Sequence, residues 1–360
     1  MINPDTQFWK NRKVLITGHT GFKGSWLGLW LKSLGADVTG YSLKPPTSPS
    51  MFELLSLQEH LESIIGDVRD LDQLSSVVQT TDASVIFHLA AQPLVRASYD
   101  DPLETYTTNV IGTANLLQAA RSSPNLDAIV VVTSDKCYAS IRKTHFHKEG
   151  DAMGGCDPYS SSKGCEELVT NAFRSSYFSD ESHPSSCVPI ATVRAGNVIG
   201  GGDWASDRLI PDIARALSAG QPVQVRNPHA VRPWQHVLEP LSGYLLLAEK
   251  LCEEGMPFAD GWNFGPLKED TRPVGWILEQ LASAWGDKFQ WQLDESEHPH
   301  EVDFLMLDIE KARAVLDYEP RLTLTSALQW VAEWYQAYLD SNDLMTTTKT
   351  QITRFEELVP

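Results

Sequence analysis

The chain has 360 residues, of which 42% are hydrophobic and 21% charged, so it has globular composition and is long enough for one large domain and a smaller one. Its formal net charge of -18 argues against nucleic acid or an anionic membrane as the main partner, because both reward patches of Lys and Arg. The five cysteines form no Cys-x-x-Cys pair, so neither a disulfide framework nor a zinc site is indicated. No apolar run approaches the roughly 20 residues that span a bilayer and no signal pattern opens the chain, so a cytoplasmic location is expected.

The first predicted strand leads into a glycine-rich turn. Residues 13–17 are a short apolar run typical of a buried strand, and Gly18, Gly21 and Gly24 follow it directly. Apolar residues at helical spacing come next, over 27–34. In a strand, turn and helix of this kind the backbone can approach a pyrophosphate at the helix N-terminus. We therefore favour a dinucleotide site over a simple turn.

The end of the second predicted strand leaves the choice of dinucleotide open. An Asp or Glu often stands there and hydrogen-bonds the adenosine ribose. This chain has Tyr41-Ser42-Leu43-Lys44 instead. The motif is therefore compatible with NAD and with NADP, and Lys44 could favour a 2′-phosphate.

Predicted strands and helices alternate as far as about residue 195. This alternation predicts an α/β fold with a parallel, doubly wound sheet of Rossmann type, whose ligands bind at the carboxyl ends of the strands. Beyond residue 196 the pattern loosens, which indicates a smaller C-terminal substrate-binding domain. The expected division is a dinucleotide-binding domain at 1–195 with a return segment near 232–262, a substrate-binding domain at 196–231 and 263–340, and a tail or packing arm at 341–360.

The stretch 133–163 carries a candidate acid/base site. Ser134, Asp135 and Lys136 follow an apolar run, and Tyr159 and Lys163 lie at the start of a predicted helix. Residues four apart share one helical face, so the Lys163 ammonium can lie beneath the Tyr159 phenol. A nearby cation lowers the pKa of a phenol, which is about 10 in free Tyr, so the pair predicts a general base.

Several motifs together resemble the extended short-chain dehydrogenase/reductase superfamily, whose members modify nucleotide sugars. They are the glycine turn at 17–24, His-Leu-Ala-Ala at 88–91, Thr108-Asn109, and the Tyr159 and Lys163 pair. Ser134-Asp135-Lys136 and the motifs at 194–204 and 232–237 are similar to those of CDP-glucose 4,6-dehydratases, whereas dTDP-glucose dehydratases carry Thr-Asp-Glu in place of Ser-Asp-Lys. The resemblance implies NAD as cofactor and conversion of CDP-glucose to CDP-4-keto-6-deoxyglucose and water by transient NAD reduction, a step of deoxysugar and lipopolysaccharide O-antigen biosynthesis.

The resemblance also implies roles for individual residues. The implied catalytic residues are Ser134, Asp135, Lys136, Tyr159 and Lys163. The implied cofactor-binding residues are Gly18, Gly21, Phe22, Gly24, Asp67, Val68, Leu89, Ala90, Ala91, Asn109, Tyr159 and Lys163. The implied substrate-binding residues are Arg96, Asn197, Arg208 and Arg232. Asp135 would be the acid of the dehydration, which requires a raised pKa, and Lys136 would be either the base at sugar carbon 5 or an electrostatic stabiliser of the enolate.

Two other functions compete with this interpretation. A nucleotide-sugar epimerase or reductase of the same superfamily would not need Asp135 and Lys136, and a silent NAD-binding scaffold would not need Tyr159. The partners expected are a small nucleotide sugar and further copies of the chain, as a homodimer or homotetramer.

Several residues have a plain structural interpretation beside a functional one. Trp204 and Trp234 either stack on a nucleobase or pack in the core. His145 and His147 have the spacing of metal ligands, but surface histidines are favoured and no metal is expected. His298 and His300 are expected to be structural or rim residues.

Overall fold

The computed structural model describes residues 3–139, 145–179, 187–285, 289–294, 296 and 305–358. The strands are β1 (Lys13–Thr17), β2 (Asp37–Ser42), β3 (Glu62–Ile65), β4 (Val85–His88), β5 (Ala128–Val132), β6 (Ile190–Ala195), β7 (Asn197–Ile199), β8 (Val223–Val225), β9 (Val231–His236), β10 (Gly261–Phe264), β11 (Thr271–Pro273) and β12 (Trp291–Leu293). The α-helices are α1 (Thr6–Trp9), α2 (Phe22–Ser33), α3 (Met51–Leu54), α4 (Leu71–Thr81), α5 (Val95–Asp100), α6 (Pro102–Tyr106), α7 (Gly112–Ala120), α8 (Pro158–Tyr177), α9 (Leu209–Ala219), α10 (Leu238–Glu254), α11 (Val274–Trp285), α12 (Glu310–Leu316), α13 (Leu324–Leu339) and α14 (Leu344–Glu357).

Seven parallel strands form the central sheet, in the order β10-β6-β5-β4-β1-β2-β3. The strand order reverses between β1 and β4, and a crevice for a ligand opens at such a switch point in a doubly wound sheet. The predicted α/β fold with a parallel, doubly wound sheet is confirmed.

Both faces of the sheet are covered at its centre, which explains why the central strand β5 is apolar along its whole length. Val130 and Val132 of β5 pack into one core together with α2 and α10. Ile129 and Val131 pack into the opposite core together with α4 and α7. Successive side chains of a strand point to opposite faces, so one unbroken apolar run supplies both cores.

Two small sheets lie outside the central one. Strand β9 pairs in parallel with β7 and antiparallel with β11, and β8 pairs in parallel with β12. Strand β10 returns to the edge of the central sheet beside β6. The division into two domains at the expected boundaries stays a prediction.

The C-terminal segment forms the helix α14, which packs on the body of the protein. Asp343 caps it by accepting hydrogen bonds from the backbone amides of Met345 and Thr346. Phe355 contacts Trp30 of α2 edge to face, with ring centroids 5.7 Å apart.

In the part of the chain that the structure describes, none of the helices has both the length and the apolar character required to traverse a membrane.

Candidate active site

A cavity of about 880 Å³ lies at the carboxyl ends of the parallel strands. Its wall includes Gly18 after β1, Asp67 after β3, Leu89 after β4, Ser134 after β5 and Gly196 after β6. The volume is in the upper part of the range of about 300–1,000 Å³ that is usual for small-molecule sites. The cavity is therefore at the place and of the size that the fold predicts for a nucleotide ligand.

The glycine turn after β1 is tightly packed. Gly18 has a φ of 79°, and a Cβ there would lie 2.7 Å from the backbone nitrogen of Ala90. A Cβ on Gly24 would lie 2.2 Å from the carbonyl oxygen of Gly18. Helix α2 begins after Gly21 without a side-chain cap, so its first-turn amides remain available to a phosphate. These residues fit a dinucleotide cofactor.

Asp135 is a buried acid at the end of β5. Ser134 precedes a short 3₁₀ helix, accepts a hydrogen bond from the backbone amide of Lys136 at 3.2 Å, and donates one to Asp135 Oδ1 at 3.0 Å. The other oxygen, Asp135 Oδ2, has no hydrogen-bond partner among the described residues. Asp135 is 3% exposed, and burial raises the pKa of its carboxyl group more than Lys136, Ser134, Arg232 and Lys23 lower it. A raised pKa is what a general acid needs, because it keeps the proton on the carboxyl group.

Tyr159 and Lys163 enter the cavity from the first turns of α8, which Asp157 caps through the backbone amide of Ser160. Burial raises the pKa of Tyr159 above its ordinary value, and the opposing effects of Lys163 and of a hydrogen bond to Ser134 are smaller. The expectation that Lys163 lowers the pKa of Tyr159 below the ordinary value is therefore wrong for this structure. Two causes account for the difference: Tyr159 is only 8% exposed, and Lys163 shares its charge with a carboxylate.

That carboxylate belongs to Glu166, which the sequence-based reasoning missed. Both of its oxygens lie 2.9 Å from Lys163 Nζ, and both side chains are buried. Burial raises the pKa of Glu166 to about 7, although Lys163 opposes this. Burial lowers the pKa of Lys163, but Glu166 and Tyr159 raise it more. Side chains three apart are neighbours on a helix, so the spacing of Lys163 and Glu166 was the available signal.

Two further lysines line the cavity. Lys136 is half-buried, and its Nζ lies 5.9 Å from the centre of the Tyr159 ring. Lys23 belongs to the glycine turn, and the sequence-based reasoning missed it as well. Burial, followed by the charges of Arg208 and Lys163, lowers the pKa of Lys23 to about 8 against the opposing effect of Asp135. Its place just before Gly24, in a turn expected to hold a ligand, could have revealed it.

The four residues expected to bind substrate all line the cavity: Arg96, Asn197, Arg208 and Arg232. Arg96 pairs with Asp207 at 3.2 Å, and Arg208 pairs with Asp203 at 2.9 Å. Arg232 lies on β9, and Asn197 lies on the neighbouring β7. Two of the three arginines are thus paired with carboxylates that line the same cavity.

Both tryptophans singled out in the sequence also line the cavity and are largely buried. Trp204 packs against Tyr335 and Tyr338, with ring centroids 5.5 Å and 4.8 Å away. Trp234 donates from its indole nitrogen to the carbonyl oxygen of Arg272 at 3.2 Å. Each therefore contributes to the core and to the cavity wall.

Of the residues expected to bind the cofactor, Asn109 is the one that does not line the cavity. The others line it: Gly18, Gly21, Phe22, Gly24, Asp67, Val68, Leu89, Ala90, Ala91, Tyr159 and Lys163. Asn109 is buried behind the wall, where its side-chain amide donates to Ser162 Oγ at 2.8 Å and to the carbonyl oxygen of Gln92 at 3.1 Å. It joins the loop after β4 to α8. His298 and His300 lie outside the described residues.

Comparison with known proteins agrees with this geometry. The family model described as GDP-mannose 4,6 dehydratase matches residues 15–330. The chain is 49% identical over 351 residues to a CDP-glucose 4,6-dehydratase of Salmonella typhimurium, and the match covers 98% of each protein.

Two solved structures resemble the fold. One is MoeE5 in complex with UDP-glucose and NAD, at 25% identity and a TM-score of 0.75, covering 91% of this chain and 99% of that one. The other is a dTDP-glucose 4,6-dehydratase from Bacillus anthracis in complex with NAD, at 22% identity and a TM-score of 0.73, covering 93% and 99%. The chain belongs to the GDP-mannose 4,6 dehydratase family of nucleotide-sugar dehydratases, within the extended short-chain dehydrogenase/reductase superfamily.

Proposed function

We propose that this protein is a hydro-lyase that converts CDP-glucose to CDP-4-keto-6-deoxyglucose and water. The observation that carries the proposal is that Asp135 and Lys136 line the same cavity as Ser134, Tyr159 and Lys163. Asp135 and Lys136 can serve the dehydration. The other three side chains can serve the oxidation of the sugar. The 49% identity to the Salmonella typhimurium CDP-glucose 4,6-dehydratase supports this substrate.

NAD is the cofactor of this chemistry. When bound, it would supply a transient acceptor for the hydride of sugar carbon 4 and the donor of a hydride to carbon 6, so that no net oxidation would result. The glycine turn and the amides at the start of α2 would hold its pyrophosphate, and Asp67 and Val68 lie where its adenosine end would reach. Lys163 would bind the ribose beside the nicotinamide.

Tyr159 and Ser134 act on the sugar 4-hydroxyl. The Tyr159 oxygen accepts its proton, and Ser134 aligns the hydroxyl group. Because burial raises the pKa of Tyr159, the phenolate depends first on the charge of Lys163, which lowers that pKa.

Asp135 and Lys136 act on the ketone that results. The new carbonyl group acidifies carbon 5, and the carboxyl group of Asp135 gives its proton to the departing 6-hydroxyl, which leaves as water. Burial keeps the pKa of Asp135 raised, so the proton is available. Lys136 either takes the carbon 5 proton as a neutral amine or stabilises the enolate as an ammonium. Lys136→Arg separates the two roles, because arginine stays charged: an electrostatic role survives this change, whereas a base role does not.

Turnover of a panel of nucleoside-diphosphate glucoses tests the function. We expect the 4-keto-6-deoxy sugar from CDP-glucose with no net change in NADH absorbance. An epimer as sole product would refute the dehydratase and support an epimerase. Preference for dTDP-glucose would refute the substrate while leaving the mechanism intact.

We further propose that the protein is a homodimer or homotetramer. Leu103 of α6, Ile111 after it and Leu168 of α8 are 75%, 50% and 61% exposed, and these segments pack against one another. Large exposed apolar side chains on neighbouring helices suit a contact with a second copy. We expect Leu168→Glu to lower the mass measured by light scattering, and Val315→Glu, at a 50% exposed position on α12, to leave it unchanged. A wild-type monomer would refute the proposal.

A cytoplasmic location is also proposed. Cys137, Cys156, Cys165 and Cys252 are thiols outside disulfide bonds in the described structure, and Cys137 among them is buried. Free thiols are typical of a reducing compartment. Cell fractionation tests the proposal, and recovery outside the cytoplasmic fraction would refute it.

A further inference from the structure

Three side chains that can bind a metal ion meet beside the active site. His145 Nε2 lies 2.5 Å from Asp151 Oδ2, and His147 Nδ1 lies 3.3 Å from the same oxygen. The three ligand atoms all lie within 4.8 Å of one another. They belong to the segment between the Ser134-Asp135-Lys136 element and α8, and none of the three lines the cavity.

His147 is fixed in place, and its ligand atom faces Asp151. It is 5% exposed, so the expectation of a surface histidine is wrong for this residue. Its ring stacks on Tyr138 at 4.6 Å and 9°, and its backbone bonds to Met306 and Asp308, each at 2.8 Å. Its Nδ1 is buried, and its contact with Asp151 Oδ2 at 3.3 Å does not have hydrogen-bond geometry. A metal ion between these two atoms would bind both of them directly.

The other two ligands can adapt and lie open to solvent. The side chains of His145 and Asp151 are 36% and 22% exposed, which leaves a path by which an ion can enter. Around a tetrahedral zinc ion with bonds of about 2.0–2.1 Å, ligand atoms are about 3.3–3.4 Å apart. His147 Nδ1 and Asp151 Oδ2 already have this separation, and a small outward movement of His145 completes the set.

We propose that His145, His147 and Asp151 form a binding site for one divalent transition-metal ion of the Zn²⁺ type, with water as the fourth ligand. Two imidazoles and one carboxylate suit such ions, whereas Mg²⁺ prefers oxygen ligands throughout.

The site would be structural and would hold the loop between the two halves of the active site. Tyr138, on which His147 stacks, follows the Asp135–Cys137 turn directly. Its hydroxyl donates to Asn263 Oδ1 at 2.7 Å, and Asn263 in turn donates to the carbonyl oxygen of His147 at 2.9 Å. An ion at this cluster would therefore stabilise the backbone from which Asp135 and Lys136 project. This role is additional to the dehydration chemistry and does not depend on it.

Metal binding to the full-length chain tests the proposal directly. The protein is stripped with chelator, and Cys156, an exposed thiol, is replaced by serine throughout so that it does not contribute. We expect one Co²⁺ or Zn²⁺ per chain by equilibrium dialysis, visible Co²⁺ absorption typical of four or five nitrogen and oxygen ligands, and a rise in Tm with Zn²⁺ but not with Mg²⁺.

Two single variants and a control complete the experiment. His145→Gln at a partly exposed position should fold normally and weaken Co²⁺ binding at least tenfold, and Asp151→Asn should do the same. His60→Gln, at an exposed histidine outside the cluster, should bind as the wild type does. Binding below one ion per chain, or equal binding by His145→Gln and the wild type, would overturn the proposal.

Discussion

The two oxygens of Asp135 have different surroundings, and the difference suits a proton donor. Oδ1 accepts the Ser134 hydroxyl, whereas Oδ2 has no partner within the described structure. A buried carboxyl group in this setting is better accommodated in its neutral form, which is why its pKa is raised. The free oxygen can then carry the proton that leaves with water.

Asp135→Asn keeps the size of this side chain and removes its acidic proton. We expect turnover of CDP-glucose to fall about 100-fold or more, because a positioned acid contributes on this scale. Oxidation at carbon 4 does not need Asp135, so reduced cofactor should accumulate during a single turnover and be visible by its absorbance. Turnover within a factor of two of the wild type would exclude Asp135 as the acid.

Glu166→Gln should shift the pH dependence of the reaction. The Glu166 carboxylate is among the groups that raise the pKa of Tyr159, after burial, so its removal lowers that pKa. The limb on which kcat rises with pH should therefore move to lower pH. Glu254→Gln, at an exposed position on α10, is the control and should leave the profile unchanged. An unmoved or upward-shifted limb in Glu166→Gln would contradict the assignment.

At the scale of single elements, the first turn of α2 tolerates no side chain at Gly24, where it packs against the turn after β1. Gly24→Ala would place a methyl group 2.2 Å from a backbone oxygen, which requires the turn to open. We expect a loss of stability on the order of 1–3 kcal/mol in denaturant unfolding, and at least tenfold weaker NAD binding by calorimetry. Gly150→Ala has nothing within 4 Å of the new Cβ and should match the wild type in both measurements.

Local pattern was enough to predict the elements that carry the reaction. The apolar run before Ser134 and the four-residue spacing of Tyr159 and Lys163 are local features, so strand end and helix start could be read without the tertiary structure. The directions in which long side chains point could not be predicted from these local features. Lys163 pairs with Glu166 and is not available to Tyr159 alone, and Asn109 lies behind the cavity wall. Both facts depend on packing between elements.

Helix α14 is a whole element whose helical structure the local sequence pattern did not predict. Its sequence is polar and weakly periodic, and it was expected only as a tail or packing arm. Its buried face combines apolar side chains, such as Ile352 and Phe355, with polar ones. Thr348 accepts the indole N–H of Trp334 at 2.9 Å, and the amide of Gln351 donates to the carbonyl oxygen of Trp330 at 2.8 Å. The partners of Thr348 and Gln351 belong to α13, so the hydrophobic periodicity of the α14 sequence does not predict these contacts.

At the scale of the whole molecule, buried carboxyl groups link stability to pH. Glu239 at the start of α10 accepts hydrogen bonds from the backbone amides of Arg321 and Leu322, at 2.9 Å and 2.6 Å. Burial raises the pKa of Glu239 to about 7, against an ordinary value of 4.5. The folded state therefore holds a proton that the unfolded state has lost, and stability falls as pH rises from about 4.5 through 7.

Glu239→Gln should remove this part of the pH dependence while keeping the accepting oxygen. We expect the free energy of unfolding of the wild type, relative to the variant, to decline by up to about 3 kcal/mol between pH 4.5 and pH 7. Urea unfolding across this range measures the difference. A difference that is constant or grows with pH would show that Glu239 is ionised in the folded state.

Strand β10 has a consequence for the order in which the protein gains activity. It closes the edge of the central sheet beside β6, and its Asn263 anchors Tyr138, next to the catalytic turn. Contacts between segments so far apart in sequence carry a loop-closure cost and tend to form late. The cofactor-binding strands can assemble before β10 has joined them. Until β10 is in place, however, the turn that carries Asp135 and Lys136 lacks the anchor between Tyr138 and Asn263. Catalytic competence is therefore expected to be the last property that a refolding chain recovers, after its central sheet.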